Sequence, residues 1–355
     1  MRLSPMRNLT RAARMPLFAL LAFFVFALFT VPPEGSEKKR VAYIEAGPFW
    51  LYSHTYRAIR EALAGNPRFS VEYPEELHVS PGWDAPPGEL DNLARALQDR
   101  GDIDLIIAGG TAAIRSLLLV NSGRIPIIGI GMADPLAAGV VKSVDDSGVD
   151  NFTCEVIPDR WMQMLRVFHD VVGFKRLGVL LPPGPEGRFY AGIDDVLAVG
   201  EELDFAVLIG EIPDESVQSC ADGVDWLAGQ KADAFFIGPL LGFDWEGGDP
   251  EFLLDRLNRV HQLPTFARDG SIFVQGGALL GFATWDFSRD GRRLAEKAVR
   301  IFDGEKPRSI PMRAVVEPLI AINLQTAMEI DFDLPFDVLI AADEIYVTSE
   351  RPKLE

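Results

Sequence analysis

The stretch Asp104–Leu119, DLIIAGGTAAIRSLLL, runs from an unbroken apolar segment through Gly109-Gly110-Thr111 directly into a helical pattern. An apolar run without alternation is what a strand buried on both faces of a parallel sheet requires. Two readings of the junction follow. In one, the glycines let the strand turn and Thr111 caps the helix, a contribution of about 1 kcal/mol. In the other, Gly110 and Thr111 also place backbone N–H groups and the positive end of the helix dipole where an anion can bind. The junction stands at the carboxyl edge of a strand, where ligands of open α/β sheets sit.

The same grammar extends in both directions. RVAYIEA (residues 40–46), FSVEYP, IDLIIAG and IPIIGIG read as strands, separated by helices over 53–65, 88–101 and 111–121. The chain then crosses a Gly- and Asp-rich segment, VDDSGVDNFTCEVIPD (144–159), and the alternation restarts. Helices are predicted in DRWMQMLRVFHDVVG, over 187–200, in SVQSCADGVDWLAGQ and in PEFLLDRLNRV, with strands in RLGVLLPP, FAVLIGEIP, ADAFFIGP and LPTFA. Two successive βαβ series predict an α/β protein of two doubly wound parallel-sheet lobes. A second loop-like stretch, DGEKPRSIPMRAVVEP (303–318), makes more than one crossing and hence a hinge around a cleft that closes on a ligand. SPGWDAPPGE (80–89) reads as a surface loop.

Composition narrows the function. The 355 residues carry 34 Lys+Arg against 52 Asp+Glu, a net charge of −18. Such a surface repels nucleic acid and anionic membranes. Residues 1–33 hold four arginines and no acid, and without them the balance is 30 − 52 = −22. Those arginines precede PLFALLAFFVFALFTV (16–31), the pattern of a signal peptide or, lacking a small-x-small site after it, of an uncleaved membrane anchor. Either places the body outside the cytoplasm, with membrane contact through that segment alone. No cysteine stands near residue 31, which excludes a lipoprotein anchor. Cys154 and Cys220 are too few for a disulfide framework, and their spacing leaves open whether they pair. Four scattered histidines offer no zinc ligand pair, and no metal or cofactor is expected. Neither a P-loop, GxSxG nor HExxH occurs at a strand–helix junction.

Other strand-end loops supply further candidates. GIGMADPLAAGVV (129–141) has G-x-G but Asp134 where a dinucleotide fingerprint needs its third glycine. Asp134-Pro135 suits a helix start, and Asp134 alternatively forms a polar wall facing a ligand ammonium. EAGPFWLYSH (45–54) crowds Phe49, Trp50 and Tyr52 onto the loop after the first strand, either as a stacking surface or as packing. In the second series Tyr190, Asp244 and Gly276 of FVQGGALLG stand at the corresponding edge, within reach of a cleft.

Taken in order, DLIIAGGTAAI, IPIIGIGMADPLAAGVVKS, NFT and the C-terminal GALLGFATWDFSRDGRRLAEKAVRIFDGEKPRSIPM, LIAINLQTAMEIDFDLP and LIAADEIY resemble the exported solute-binding proteins of ABC importers, of the tryptophan/tyrosine type. The resemblance covers residues 41–346. It implies a periplasmic-binding-protein type I-like fold with three interlobe crossings, no enzymatic activity, an ABC permease in the inner membrane as partner, and a periplasmic location. It places a ligand carboxylate on Gly110 and Thr111 and Asp134 at the family's Asp-Pro position, with Trp50, Tyr52, Tyr190 and Gly276 completing the ligand-binding set. Expected boundaries are 1–33 for the signal or anchor, 40–152 plus 279–312 for lobe 1, 153–278 plus 313–347 for lobe 2, and 348–355 for a tail. Cys154 replaces a usual glycine, and Gly238-Pro239 stands where an acidic or small polar residue often contacts the ligand's amino group. A membrane-anchored ligand sensor and a Rossmann-type nucleotide-using enzyme are the rival readings, the second opposed by the single Gly47 after the first strand.

Overall fold

The computed structural model describes residues 36–132, 134–282, 287–314 and 319–353. The basic and apolar N-terminal segment lies outside them, and with it the choice between signal peptide and anchor. The first of two sheets contains β1 (Glu37–Glu45), β2 (Phe69–Glu72), β3 (His78–Val79), β4 (Leu105–Gly109), β5 (Ile127–Ile130) and β6 (Phe152–Thr153). All pairs are parallel, in the order β2-β1-β4-β5-β6, with β3 also on β1. Every residue of β4 and β5 is buried because helices cover both faces. Alternate residues serve the two faces: Ala42, Ile44, Ile106, Ala108 and Ile127 pack towards α2 (Glu89–Gln98) and α3 (Gly110–Leu119). Val41, Tyr43, Leu105, Ile107 and Ile128 pack towards α1 (Trp50–Ala64) and a late helix, α10 (Phe287–Phe302).

The second lobe runs α4 (Arg160–Val172), β7 (Arg176–Leu181), α5 (Gly184–Ala191), α6 (Ile193–Leu203), β8 (Ala206–Glu211), α7 (Val217–Gly229), β9 (Ala234–Ile237), α8 (Pro250–Asp255), β10 (Thr265–Ala267), α9 (Ser271–Gln275) and β11 (Leu280–Phe282). After α10 the chain adds β12 (Ile320–Asn323), α11 (Leu324–Glu329), α12 (Phe336–Ala341) and β13 (Glu344–Tyr346). The order is β13-β12-β11-β10-β9-β7-β8, parallel except for β11 with β12. Helix α4 shows why it folds here: Trp161, Met164, Leu165 and Phe168 repeat at helical spacing and are all buried.

Several expectations are corrected. The helix read over 187–200 is two helices, α5 and α6, broken at Gly192, whose φ of +63° suits glycine. The helix read in PEFLLDRLNRV keeps helical form only to Asp255, and Arg256–Val260 widen into a π turn. Of the crossover read over 144–159, Phe152 and Thr153 pair with β5, so the passage begins at Cys154. Residues 279–282, expected in lobe 1, belong to lobe 2: Leu279 lies in its core and β11 pairs β10 and β12. The expected tail is tied down, with Ser349 N–H donating to Gln325 Oε1 and Glu350 N–H to the Gln275 carbonyl, each at 2.9 Å.

The chain passes between lobes three times, after β6, between β11 and α10 (283–286, outside the described residues), and before β12. The first and third passages lie side by side. Val156 N–H donates to the Met312 carbonyl and Ala314 N–H to the Val156 carbonyl, both at 2.9 Å. Arg293 of α10 grips Glu155 of the first passage with two hydrogen bonds, at 3.0 and 2.9 Å, and also pairs with Asp290 at 2.8 Å.

Two predictions follow from this packing. Gly291 of α10 lies so close to α1 that a Cβ there would be 2.6 Å from the Ala58 Cβ and carbonyl carbon. Gly→Ala ordinarily stabilises a helix interior by up to about 1 kcal/mol. Here Gly291→Ala is expected to destabilise by roughly 1–3 kcal/mol through overpacking, measured by urea unfolding. Cys154 and Cys220 are free thiols, fully buried in separate lobes, and burial pushes both up to about 12. Ellman's reagent at pH 8 should therefore titrate neither in the native protein and both after denaturation.

Candidate functional site

The carboxyl ends of the parallel strands in both lobes face one gap, a cleft of about 450 Å³. Its walls are the residues that follow those strands. Lobe 1 contributes Phe49, Leu51 and Tyr52 after β1, Gly110–Ala112 after β4, and Gly131 and Met132 after β5. Lobe 2 contributes Pro182, Pro183, Glu186, Gly187, Tyr190 and Ala191 after β7, Pro239–Leu241 after β9, and Arg268 and Asp269 after β10.

Helix α3 starts with no intervening loop. Gly109 is extended and Gly110 takes φ +83°, a conformation natural to glycine alone. Thr111 is therefore inside the first turn and not its cap, as the sequence suggested; Gly109 holds the cap position and no side chain caps the turn. Thr111 is 2 % exposed, and its hydroxyl has no hydrogen-bond partner among the described residues. Buried hydroxyls are nearly always satisfied, so an orphan at the mouth of a cleft calls for an explanation.

Tyr52 lies across this helix start. A Cβ on Gly110 would come within 2.6 Å of Tyr52 Cζ, and one on Gly131 within 2.6 Å of its Cδ1. Both glycines have positive φ, so each provides the turn and the space for the ring. The Tyr52 hydroxyl is pushed well above the usual phenol range, first by burial, then by Tyr190 and Asp269 across the cleft, with Arg268 opposing. Lobe 1's helix start and lobe 2's charged pair thus flank the same ring.

That pair is Arg268 and Asp269, 6 % and 7 % exposed, joined at 3.2 Å through Arg268 Nε. Arg268 also donates through Nη1 to the Tyr190 carbonyl, and its guanidinium lies 4.5 Å from the centre of the Trp161 ring. Arg160 stands 5.1 Å from the same ring and is pulled down to about 10, chiefly by burial. Glu215 is pushed up by burial and accepts the Leu241 N–H at 2.9 Å. At the rim, Arg115 of α3 reaches Glu186 of α5 at 3.3 Å and stacks over Phe189 at 5.1 Å.

Of the sequence candidates, Gly110, Thr111, Tyr52 and Tyr190 line this cleft. Asp134 lines a smaller neighbouring chamber of about 290 Å³, which shares Leu51, Gly131, Met132, Arg160 and Trp161 with the cleft. There Asp134 Oδ1 accepts the Leu136 and Ala137 N–H groups, both at 2.9 Å, capping the turn after Pro135. Trp50 and Gly276 are elsewhere. Trp50, 3 % exposed, packs edge-on against Phe287 because α1 already begins at residue 50 and turns it towards α10. Gly276 seats the Trp245 ring, which lies where a Cβ would stand. Asp244 also faces away, accepting the Glu246 and Gly247 N–H groups at 2.7 and 3.0 Å.

The sequence reading missed Trp161, Arg268 and Asp269. A signal existed in PTFARDG: two adjacent charges at the carboxyl end of a buried parallel strand stand where such sheets bind ligands. Among the described residues no group of three or more His, Cys, Asp or Glu is gathered to hold a metal ion. No described helix is long and apolar enough to cross a membrane.

The sequence matches no protein-family model and no curated protein. Solved structures do match. An ABC domain from Streptococcus pneumonia in complex with L-Trp is 18 % identical, with a TM-score of 0.69 over 86 % of this chain and 99 % of that one. A conserved domain protein from Vibrio cholerae is 17 % identical, with a TM-score of 0.69 over the same shares. The ligand-free, open form of a substrate-binding protein with adhesive properties from Clostridium difficile is 19 % identical, with a TM-score of 0.62 over 88 % and 100 %. With two mostly parallel sheets joined by three passages, this chain has the two-lobed, type I-like fold of the periplasmic substrate-binding proteins.

Proposed function

We propose that the protein is an exported, non-enzymatic solute-binding protein that captures a small α-amino acid with an apolar or aromatic side chain. It delivers that ligand to an ABC permease. The observation that carries this reading is the uncapped first turn of α3, with its buried, unpartnered Thr111 hydroxyl, opening into the interlobe cleft. A carboxylate there would accept the free N–H groups and the hydroxyl, an arrangement favoured by the helix dipole. Asp269 is the candidate for the ammonium group. It would supply from the end of β10 the acidic contact that Gly238-Pro239 does not supply from β9, and it faces across the cleft to Tyr52, which packs on Gly110. Phe49, Tyr52, Trp161 and Tyr190 provide the aromatic walls.

Binding would work by population shift. A ligand that touches both lobes favours the closed arrangement by its differential affinity for it. Micromolar capture needs about −8 kcal/mol, within reach of several charge-assisted hydrogen bonds and one buried ring. The apolar segment 16–31 would direct export, as a signal peptide or as an anchor beside the permease, and N-terminal sequencing of the secreted form distinguishes the two.

Thr111→Val separates the roles of its hydroxyl by sign. The free protein should hold or gain stability, since an unsatisfied buried hydroxyl is removed. Affinity for the ligand should fall about tenfold, or ~1.4 kcal/mol. Asp269→Asn should weaken L-tryptophan or related amino acids by roughly a hundredfold, read by calorimetry. Thermal-shift screening against amino acids and other small carboxylates identifies the ligand, because one at 100 times its dissociation constant adds about 2.7 kcal/mol. If no compound of either class shifts the melting temperature, the reading fails.

A further inference from the structure

Two large apolar side chains on the cleft wall are left half in water, one from each lobe. Trp83 is 48 % exposed and Leu241 is 46 % exposed, while Leu51, Leu180, Leu240 and Trp161 on the same walls are buried and Phe49, Tyr52 and Met132 are half-buried. Most of the protein's other exposed large apolar residues, such as Trp226, Phe252 and Met328, line neither chamber.

Trp83 is held in place. Its indole N–H donates to the Pro48 carbonyl at 3.0 Å, and its ring rests on Gly47, where a Cβ would stand 2.5–2.7 Å from three ring atoms. Gly82, at φ +90°, turns the preceding backbone. The loop between β3 and α2 is thus fastened over the loop after β1, with one side of the indole on glycine. A tryptophan fixed on one side and wet on the other, at the wall of a cleft, is a surface prepared for an apolar partner. Leu241 is placed comparably: its N–H is fixed by Glu215 and its neighbour Leu240 is buried beneath.

We infer that Trp83 and Leu241 are specificity-determining residues, two apolar jaws that cover the side chain of the bound amino acid and select apolar side chains over polar ones. This rests on the proposed amino-acid reading and adds the group that discriminates among amino acids. Neither residue belongs to the carboxylate or ammonium contacts, so their loss should alter selectivity without abolishing recognition of the common amino-acid backbone.

The experiment titrates the full chain calorimetrically with L-tryptophan, L-phenylalanine, L-leucine and L-serine. The wild type should bind at least one of the three apolar amino acids about tenfold or more tightly than L-serine. Trp83→Ala should weaken that best ligand about tenfold while changing L-serine less than twofold, and Trp83→Phe should restore most of the loss. Leu241→Ala should act in the same direction from the other lobe. An unchanged melting temperature of the ligand-free variants excludes misfolding, and a variant that fails this check is replaced by Trp83→Leu. Equal affinities in wild type and Trp83→Ala would overturn the jaws and leave the amino-acid reading standing, whereas a wild type that prefers L-serine would overturn the jaws together with the apolar side chain of that reading. Binding of none of the four by the wild type would overturn both.

Discussion

Two short pieces of chain lying side by side at the hinge determine what the lobes can do. Residues 154–157 and 312–314 exchange backbone hydrogen bonds through Val156, and the Arg293–Glu155 pair ties α10 to the first of them. With these passages fixed, both sheets direct the carboxyl ends of their parallel strands into one gap. A loop following any central strand then becomes a wall of the cleft. The site is a consequence of topology before it is a matter of particular side chains, and the side chains select what the gap will hold.

Local chemistry follows from what the glycines permit. Gly109, Gly110 and Gly131 end adjacent strands, and the absence of three Cβ atoms lets the Tyr52 ring lie against the backbone. A side chain at Gly110 would meet both the ring and a positive φ, so the uncapped turn of α3 depends on glycine at that place. No side chain caps the first turn of α3, and the Thr111 hydroxyl has no partner among the described residues. Across the gap, Arg268 and Asp269 are buried together, and Arg268 also meets the Tyr190 carbonyl and the Trp161 ring. An unsatisfied buried hydroxyl in one wall, facing a buried charged pair in the other, is the combination that packing alone does not explain.

The alternation of buried strands and amphipathic helices was legible in the sequence because IDLIIAG, IPIIGIG and ADAFFIGP have no polar face. Gly110, Thr111, Tyr52 and Tyr190 were legible as strand-end residues. Trp50 misled because a loop position and a first-turn helix position two residues apart point to opposite sides, and α1 begins earlier than its polar SHTYR pattern suggests. The 279 boundary misled because β11 has only three residues, and its membership in lobe 2 is settled by pairing with β12, some forty residues later. Asp269 was hidden for a related reason: whether ARDG is a surface turn or a cleft wall depends on which strand lies beside β10. Such long-range pairings leave no local mark.

The strength of the contacts is uneven along the gap. Near the hinge, backbone pairing and the half-buried Glu155–Arg293–Asp290 group link the passages. At the rim, the Arg115–Glu186 contact joins the lobes at 3.3 Å with Glu186 69 % exposed, a pair of a kind that contributes about 0–1 kcal/mol. The cation–π contact of Arg115 with Phe189 adds a similar small amount. A contact this weak orients the mouth but cannot hold it against thermal motion, since 1 kcal/mol is less than a factor of ten in population. Parting the Arg115–Glu186 contact costs little, whereas parting at the hinge would break backbone pairs. Under the proposed function, a ligand that bridges α3 and the end of β10 would supply the free energy that decides between open and closed, the condition under which occupancy and conformation become one signal.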